Sequence, residues 1–298
     1  MDTTPSDTHP LLTGTGNLRR RRRVNRLLEL AAWSGALIAV AILFGVVASV
    51  FVKGVGAISL DFLTKVPAAF GESGGGISNA IIGTAVLVGL ATLIAVPVGI
   101  LVAIYTSEFA GSRPAFVVRY MLDILNGVPT IVTGLFVFGI LVVGHQQSGF
   151  AGSVALAIIM LPLVARSAHE VLALVPASVK EAGLALGASR WRTVVSVVLP
   201  TAFTGLLTGA LLAVARAAGE TAPLLFTTSI FPDLVQTDPS HALPNIPVTI
   251  FRYSESPDPA LHEQAWGAAL ILILFVLAIS IVARALSART RRRLGAAR

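Results

Sequence analysis

Residues 77–105 read I-S-N-A-I-I-G-T-A-V-L-V-G-L-A-T-L-I-A-V-P-V-G-I-L-V-A-I-Y, and no side chain among them carries a charge. A bilayer core needs about 20 predominantly apolar residues per helix. This run is longer than that, so the helix is expected to be tilted, or bent near Pro97. Five further runs meet the same requirement, roughly 30–52, 122–144, 150–169, 202–228 and 266–286. Counting all six in chain order, the third (122–144) is interrupted by N-G-V-P at 126–129, the fourth (150–169) contains Pro162 and the fifth (202–228) contains Pro223. The expected fold is an all-α polytopic membrane protein with six transmembrane helices in a domain spanning 27–288.

Composition supports that reading. Of 298 residues, 55% are hydrophobic and 12% charged, with a mean hydropathy of +0.83. Soluble domains carry about 25% charged residues, twice this share. The net charge of +7 does not point to nucleic acid, because the positives lie in terminal runs and in short loops between apolar spans. The absence of cysteine excludes disulfides, thiolate metal sites and cysteine chemistry. His145, His169, His241 and His262 show no metal-ligand spacing and His9 is in the tail, so no metal site is expected.

Residues 1–26 read as a disordered, basic tail containing R-R-R-R-R at 19–23. The apolar stretch from Leu27 to Val52 is too long for the core of a cleaved signal, so it reads as a retained signal-anchor helix. Placing the N-terminus in the cytoplasm puts 17 Lys and Arg residues inside, including Arg113, Arg119, Lys180, Arg190, Arg192 and the basic tail 289–298. Only Lys53, Lys65 and Arg252 then lie outside, with Arg166 and Arg216 left in or at the edge of the membrane. Both termini are therefore expected in the cytoplasm. The largest external loop is 229–265; its I-P-V-T-I-F-R-Y suits the membrane surface, and Trp266 the interface where the sixth helix enters.

Residues 171–200 form a cytoplasmic loop containing V-P-A-S-V-K-E-A-G-L-A-L-G-A-S-R-W-R-T-V-V-S-V-V-L-P from 175. Ser178 and Glu181 have the spacing of a capping box, which predicts a helix start. Val179, Ala182 and Leu186 share one face, Gly187 is a C-cap candidate, Ser189 caps a second helix and Pro200 marks a boundary. A small helix–turn–helix with an apolar face suits docking in a partner's groove.

The pattern E-A-G-x3-G-x9-V-x-L-P resembles the EAA loop of ABC importer permeases, E-A-A-x3-G-x9-I-x-L-P, with every spacing kept and Gly183 and Val197 as departures. That resemblance implies a type I ABC importer permease fold in which Glu181, Ala182, Gly183, Gly187, Leu199 and Pro200 belong to the segment coupling to a separate ATPase. G-V-P-T-I-V-T-G-L-F at 127–136, P-V-G-I-L-V-A-I-Y at 97–105, T-G-A-L-L-A-V-A-R-A-A-G-E-T-A-P-L-L-F at 208–226 and A-W-G-A-A-L at 265–270 are similar to PstA-type phosphate permeases. The resemblance runs from about Asn79 to the end of the sixth span. It implies location in a bacterial inner membrane and a complex with a PstC-type second permease, two PstB-type ATPases and a PstS-type external phosphate-binding protein. The chain has no P-loop, so ATP and Mg would be held by the partner ATPase; no cofactor is expected here.

Two charged echoes lie in apolar sequence, A-R-S-A-H-E at 165–170 and A-R-A-A-G-E at 215–220. An Arg at the bilayer centre costs about 2.5–3.5 kcal/mol on insertion scales, so it should face protein or a watery path. A guanidinium matches phosphate oxygens two at a time. Arg216 is the leading candidate for contact with an anion, with Glu220 on the same helix face neutralising it when substrate is absent. Arg216 should lie near mid-depth and Arg166 closer to the cytoplasm, where a substrate role competes with simple snorkelling. The backbone freed near Asn126, Gly127 and Pro129 is a further candidate. The substrate-path candidates are thus Arg216, Glu220, Arg166 and Asn126. Alternatives of function are an ABC permease for another oxyanion and an ion-coupled secondary transporter.

Overall fold

The computed structural model describes residues 18–68, 74–228 and 235–295. The chain divides into two compact units, Met1–Val52 and Lys53–Arg298. The first is the greater part of helix α1 (Leu18–Gly54), whose side chains are exposed from Arg20 to Val47. The expected tail of 1–26 lies outside the described residues as far as Asn17; from Leu18 onward the chain is helical, so the arginine run forms the first turns of α1. Arginine is a good helix former, and the apolar helix that follows supplies the nucleus from which it propagates.

The second unit contains α2 (Leu60–Thr64), α3 (Ser78–Glu108), α4 (Arg113–Gly127), α5 (Thr130–Val137), α6 (Gly149–Ala173), α7 (Ala177–Ala185), α8 (Arg190–Thr193), α9 (Leu199–Ala217), α10 (Ala222–Thr227), α11 (Ile246–Ser254) and α12 (Pro259–Gly295). Among the described residues there is no β-strand, only an isolated bridge between Pro67 and Gly75. Five helical stretches are long and apolar enough to cross a membrane: Arg20–Ala57, Ser78–Glu108, Gly149–Ala173, Arg190–Ala217 and Pro259–Ala288. A sixth span exists if the bent pair Arg113–Gly127 and Thr130–Val142 is counted as one.

That bent pair corrects the third expected span. The run 122–144 is not one helix: α4 and α5 meet at 101°. Pro129 disfavours helical geometry at the residue before it, and Val128 is extended, with φ −70° and ψ 129°. Pro129 is itself at φ −57° and ψ 133°, so two successive extended residues swing the axis before α5 starts. Pro97 and Pro162, by contrast, lie inside α3 and α6, which continue through them.

The fifth expected span, 202–228, is corrected at both ends. Pro200 is no boundary. A continuous helix runs from Arg190 to Ala217, with a π-turn at Val194–Val198 just before Pro200. Widening the turn ahead of a proline accommodates the ring and the missing N–H without ending the helix. The helix then stops at Ala217, and a separate short helix, α10, begins at Ala222 with Pro223 in its first turn. Pro223 cannot extend α9 but is well placed to start a new helix.

The core is built on α3 against α6. Leu87, Ala91, Ala95, Gly99 and Ala103 recur every fourth residue along α3 and are all buried. They form one face that meets Leu156, Ala157, Met160 and Val164 of α6. Small residues at this spacing let two apolar helices approach closely, the packing mode expected where lipid removes any hydrophobic drive between helices. Helix α9 packs on α6, and α12 on α9 and α11.

The described part of the expected external loop, from residue 235, is folded against the helix starts. The α6 amides of Gly149 and Phe150 donate to the carbonyls of His241 (2.8 Å) and Pro239 (2.9 Å), while Ala151 N–H donates to the Ser148 hydroxyl (3.2 Å). These partners satisfy amides that a helix start leaves open. Asn245 caps α11 by accepting from Val248 N–H, and the Thr84 hydroxyl of α3 accepts from Ile246 N–H at 2.9 Å. Residues 246–253, read as surface-lying, are a helix whose first turn is buried. Trp266 carries Lys53 over its ring at 4.5 Å.

Candidate functional sites

Helices α5 and α10 lie side by side. Gly134 sits so close to Pro223 that a Cβ there would fall 2.5 Å from the Pro223 Cα. Four residues on, in the π-turn Phe138–Val142 that continues α5, Phe138 meets Phe226 edge-on at 6.4 Å. Rising numbers on one helix match rising numbers on the other, so the two run parallel. Their starts, each following a chain break, therefore share one end, and this end receives α9 through Ala218–Thr221.

The Arg216–Glu220 pair sits at this break. Arg216 is in the last turn of α9, whereas Glu220 lies beyond it, its N–H bonded to Ala217 O at 3.1 Å. The expectation of a pair on one face of a continuous helix is thus corrected: the helix ends between them, at Ala217. The side chains remain 3.8 Å apart (Nη2–Oε1) with unequal exposure, 63% for Arg216 and 13% for Glu220. Among the described residues no hydrogen bond engages the Arg216 guanidinium. A guanidinium held by one 3.8 Å contact to a largely covered carboxylate keeps donors free for an incoming anion.

Arg166 is placed differently. Its guanidinium lies 3.6 Å from Glu170 and 3.8 Å from Asp123 of α4, and all three side chains are well exposed. Two carboxylates already neutralise it. Gly209 of α9 packs against Ser167, the neighbour of Arg166. Arg216 lies seven residues further along α9, about 10 Å at the usual helical rise. The two arginines are therefore at different levels and form no common site. Asn126 is exposed at the end of α4, on the other side of the bend from α5. Asp123 was missed by sequence reasoning, although a lone acid in M-L-D-I-L gives the same signal that singled out Arg166. Among the described residues, no group of three or more His, Asp or Glu is arranged to hold a metal.

The second site is the loop 171–200. Helix α7 starts directly after Pro176 (φ −58°, ψ 139°), without a side-chain cap. The capping box is therefore corrected: Ser178 is already inside the helix and cannot reach back as a cap, which frees Glu181 to face outward. Gly187 closes α7 at φ +80°, a left-handed conformation costly for other residues. Its N–H donates to Leu184 O (2.9 Å) and that of Ala188 to Gly183 O (3.3 Å), the two bonds of a Schellman motif. Ser189 caps the next helix by accepting from Arg192 N–H at 3.3 Å.

Helix α7 has two faces. Glu181, Ala182 and Leu186 are exposed, Leu186 to 89%. Val179, expected on their face, instead turns inward to the cluster of Ile104, Leu172, Val175, Val194 and Val198. Gly183 packs on Thr193, and the Lys180 Nζ meets the Glu108 carboxylate of α3 at 2.6 Å. Leu199 and Pro200 lie beyond the π-turn, at the start of α9.

Comparison with known proteins agrees with this architecture. The sequence pattern defining the binding-protein-dependent transport system inner membrane component matches residues 95–294. The chain is 40% identical over 273 residues to the phosphate transport system permease protein PstA of Yersinia pestis, covering 91% of this chain and 92% of that one. It is 38% identical over 266 residues to the PstA of Haemophilus influenzae, with 89% and 94% covered. It is also 40% identical over 249 residues to a probable PstA of Methanocaldococcus jannaschii, with 83% and 88% covered. In fold it is similar to a chain of the inward-facing MetNI methionine ABC transporter, at TM-score 0.56 and 20% identity, covering 72% of this chain and 94% of that one. The chain belongs to the inner membrane components of binding-protein-dependent transport, within the group of phosphate transport system permease proteins PstA.

Proposed function

We propose that this chain is a transmembrane permease subunit of an ATP-driven importer of inorganic phosphate. The observation that carries the reading is Arg216: a cation exposed beside a chain break within an apolar helical stretch, held only loosely by Glu220. The names of the relatives support phosphate as cargo. In this reading the loop 171–200 faces the cytoplasm with both termini, and the exposed Glu181, Ala182 and Leu186 dock on a separate ATPase subunit that holds ATP and Mg. A second permease of PstC type, a second copy of the PstB-type ATPase and a PstS-type binding protein complete the complex. The ion-coupled alternative has lost ground, since the family is one of binding-protein-dependent transport.

Arg216 would take two phosphate oxygens while Glu220 gives up its share of the guanidinium. When the anion leaves, Glu220 recovers it, which limits trapping. ATP-dependent uptake of labelled phosphate by the reconstituted complex tests this. Hydrogen bonds to a charged group contribute about 1.5–3 kcal/mol, so Arg216→Ala is expected to lower uptake about tenfold or more. Arg216→Lys keeps charge but loses the fork, and should fall between the two. Normal uptake by both variants would overturn the assignment.

A further inference from the structure

The ion pair between Lys180 and Glu108 joins α7 to the end of α3. Its partners are 72 residues apart in sequence, on the inner face of α7 and the last residue of α3. Both side chains are largely covered, 27% and 20% exposed, and their 2.6 Å contact is the shortest of the ion pairs among the described residues. A carboxylate at a helix C-terminus opposes the helix dipole. Glu108 therefore does not stabilise its own helix; its position is accounted for by Lys180.

The surroundings say what the pair connects. Through Gly183 and Thr193, α7 packs mainly on the segment 190–198. Its connection to α3 is different: the long Lys180 side chain spans the gap, alongside the apolar contact of Val179 with the cluster containing Ile104. At its other contacts α3 is the central core helix, packed along α6. The face of α7 opposite Lys180 carries Glu181, Ala182 and Leu186 and is open.

We infer that Lys180 and Glu108 are positioning residues that form a charge tether, through which a push on the outer face of α7 is delivered to α3 as well as to α9. Without the tether, α7 would still seat on its partner, and the 190–217 helix would still be driven, while α3 lagged. The inference rests on the proposed ATPase partner. Its consequence is loss of coupling rather than loss of hydrolysis.

The test uses the complete reconstituted importer, with ATP hydrolysis and labelled phosphate uptake measured in parallel. Lys180→Met and Glu108→Gln are expected to assemble and to hydrolyse ATP within about twofold of wild type. Phosphate carried per ATP should fall at least about fivefold, the low end of typical coupling between sites. The exchange Lys180→Glu with Glu108→Lys should regain at least half of the lost ratio. Single variants with a normal ratio overturn the tether, as does an exchange that regains nothing. Singles that fail to assemble beside an exchange that assembles would make the pair a folding staple and equally refute the coupling role. A wild-type complex with no ATP-dependent uptake would instead sink the proposed function.

Discussion

Gly183 stands where ABC importer permeases usually carry Ala, and the structure predicts that restoring Ala is harmful in this chain. A Cβ at position 183 would lie 2.8 Å from the Thr193 Cγ2 and 3.1 Å from its Oγ1, both closer than ordinary van der Waals contact. Thr193 has little room to yield. It is 3% exposed, and its N–H is bonded to Ser189 O at 2.9 Å. Replacing Gly by Ala inside a helix gains about 1 kcal/mol in propensity, whereas overpacking a well-filled contact costs about 1–3 kcal/mol. With so little give the cost falls in the upper part of that range, leaving a net loss of about 1–2 kcal/mol. The assay is hydrogen–deuterium exchange of the amides of Leu186 and Ala188, which close α7 onto Ala182 O and Gly183 O. Protection should fall about 5- to 30-fold in Gly183→Ala. The hydroxyl of Thr193 is buried without a partner, so Thr193→Ala alone should be close to neutral. Combined with Gly183→Ala, it should lift protection above wild type by the propensity gain. Protection of Gly183→Ala at or above wild type, or no relief by Thr193→Ala, refutes the argument.

Other outcomes follow from the same geometry. Gly134→Val would push a side chain against the Pro223 backbone, which no rotamer change can relieve; thermal unfolding of the purified protein should shift down, by about 1–3 kcal/mol in stability. At Gly187, held at φ +80°, Gly187→Ala should cost about 1–2 kcal/mol, read as faster exchange at Ala188. Asp238 is held below the ordinary carboxylate value of 3.8, first by Ser240 N–H and then by the Ser240 hydroxyl, against a small opposing effect of burial. A depressed value means that the contribution is present at neutral pH and is lost as pH falls through and below the ordinary carboxylate range. Protection of the Ser240 amide, corrected for intrinsic rate, should fall as pH drops below about 4; in Asp238→Asn that fall should be absent.

The spans were legible because length and apolarity alone decide whether a segment can cross a bilayer, and both are local properties. The Schellman turn at Gly187 and the cap at Ser189 were legible for the same reason. The breaks were only half legible. N-G-V-P announced a disruption, but a 101° turn depends on Val128 and Pro129 both being extended. Pro200 and Pro223 look alike in sequence and act oppositely. One is absorbed behind a π-turn and the other starts a new helix, a choice set by neighbours such as Gly134, 89 positions earlier in the chain. Glu170 could be paired with Arg166 from the spacing alone, whereas Asp123 and Glu108 reach Arg166 and Lys180 only through the fold. Val179 parts from Ala182 and Leu186 because the edge of the buried side runs between them, and that edge is set by the cluster of Ile104, Val194 and Val198 rather than by spacing.

The break at Ala218–Thr221 carries the strongest physical link between fold and function. In lipid, irregular backbone is tolerated only where it is buried in protein or lines a watery cavity. At this break the two conditions divide by residue: Ala217 and Ala218 are buried, whereas Arg216 and Gly219 are exposed. The bonds from Gly219 N–H to Arg216 O and from Glu220 N–H to Ala217 O spend some of the freed groups locally. The rest, and the guanidinium, require water or an anion. The parallel start of α5, opened by its own break at Val128–Pro129, adds the amides of its first turn at the same end, of which those of Val132 and Thr133 are bonded to Pro129 O. A lipid-facing placement of this end would leave both sets and Arg216 unsolvated, at several kcal/mol for each group. Two broken helices aligned in parallel beside an exposed arginine therefore belong away from lipid, against a watery path or a partner subunit.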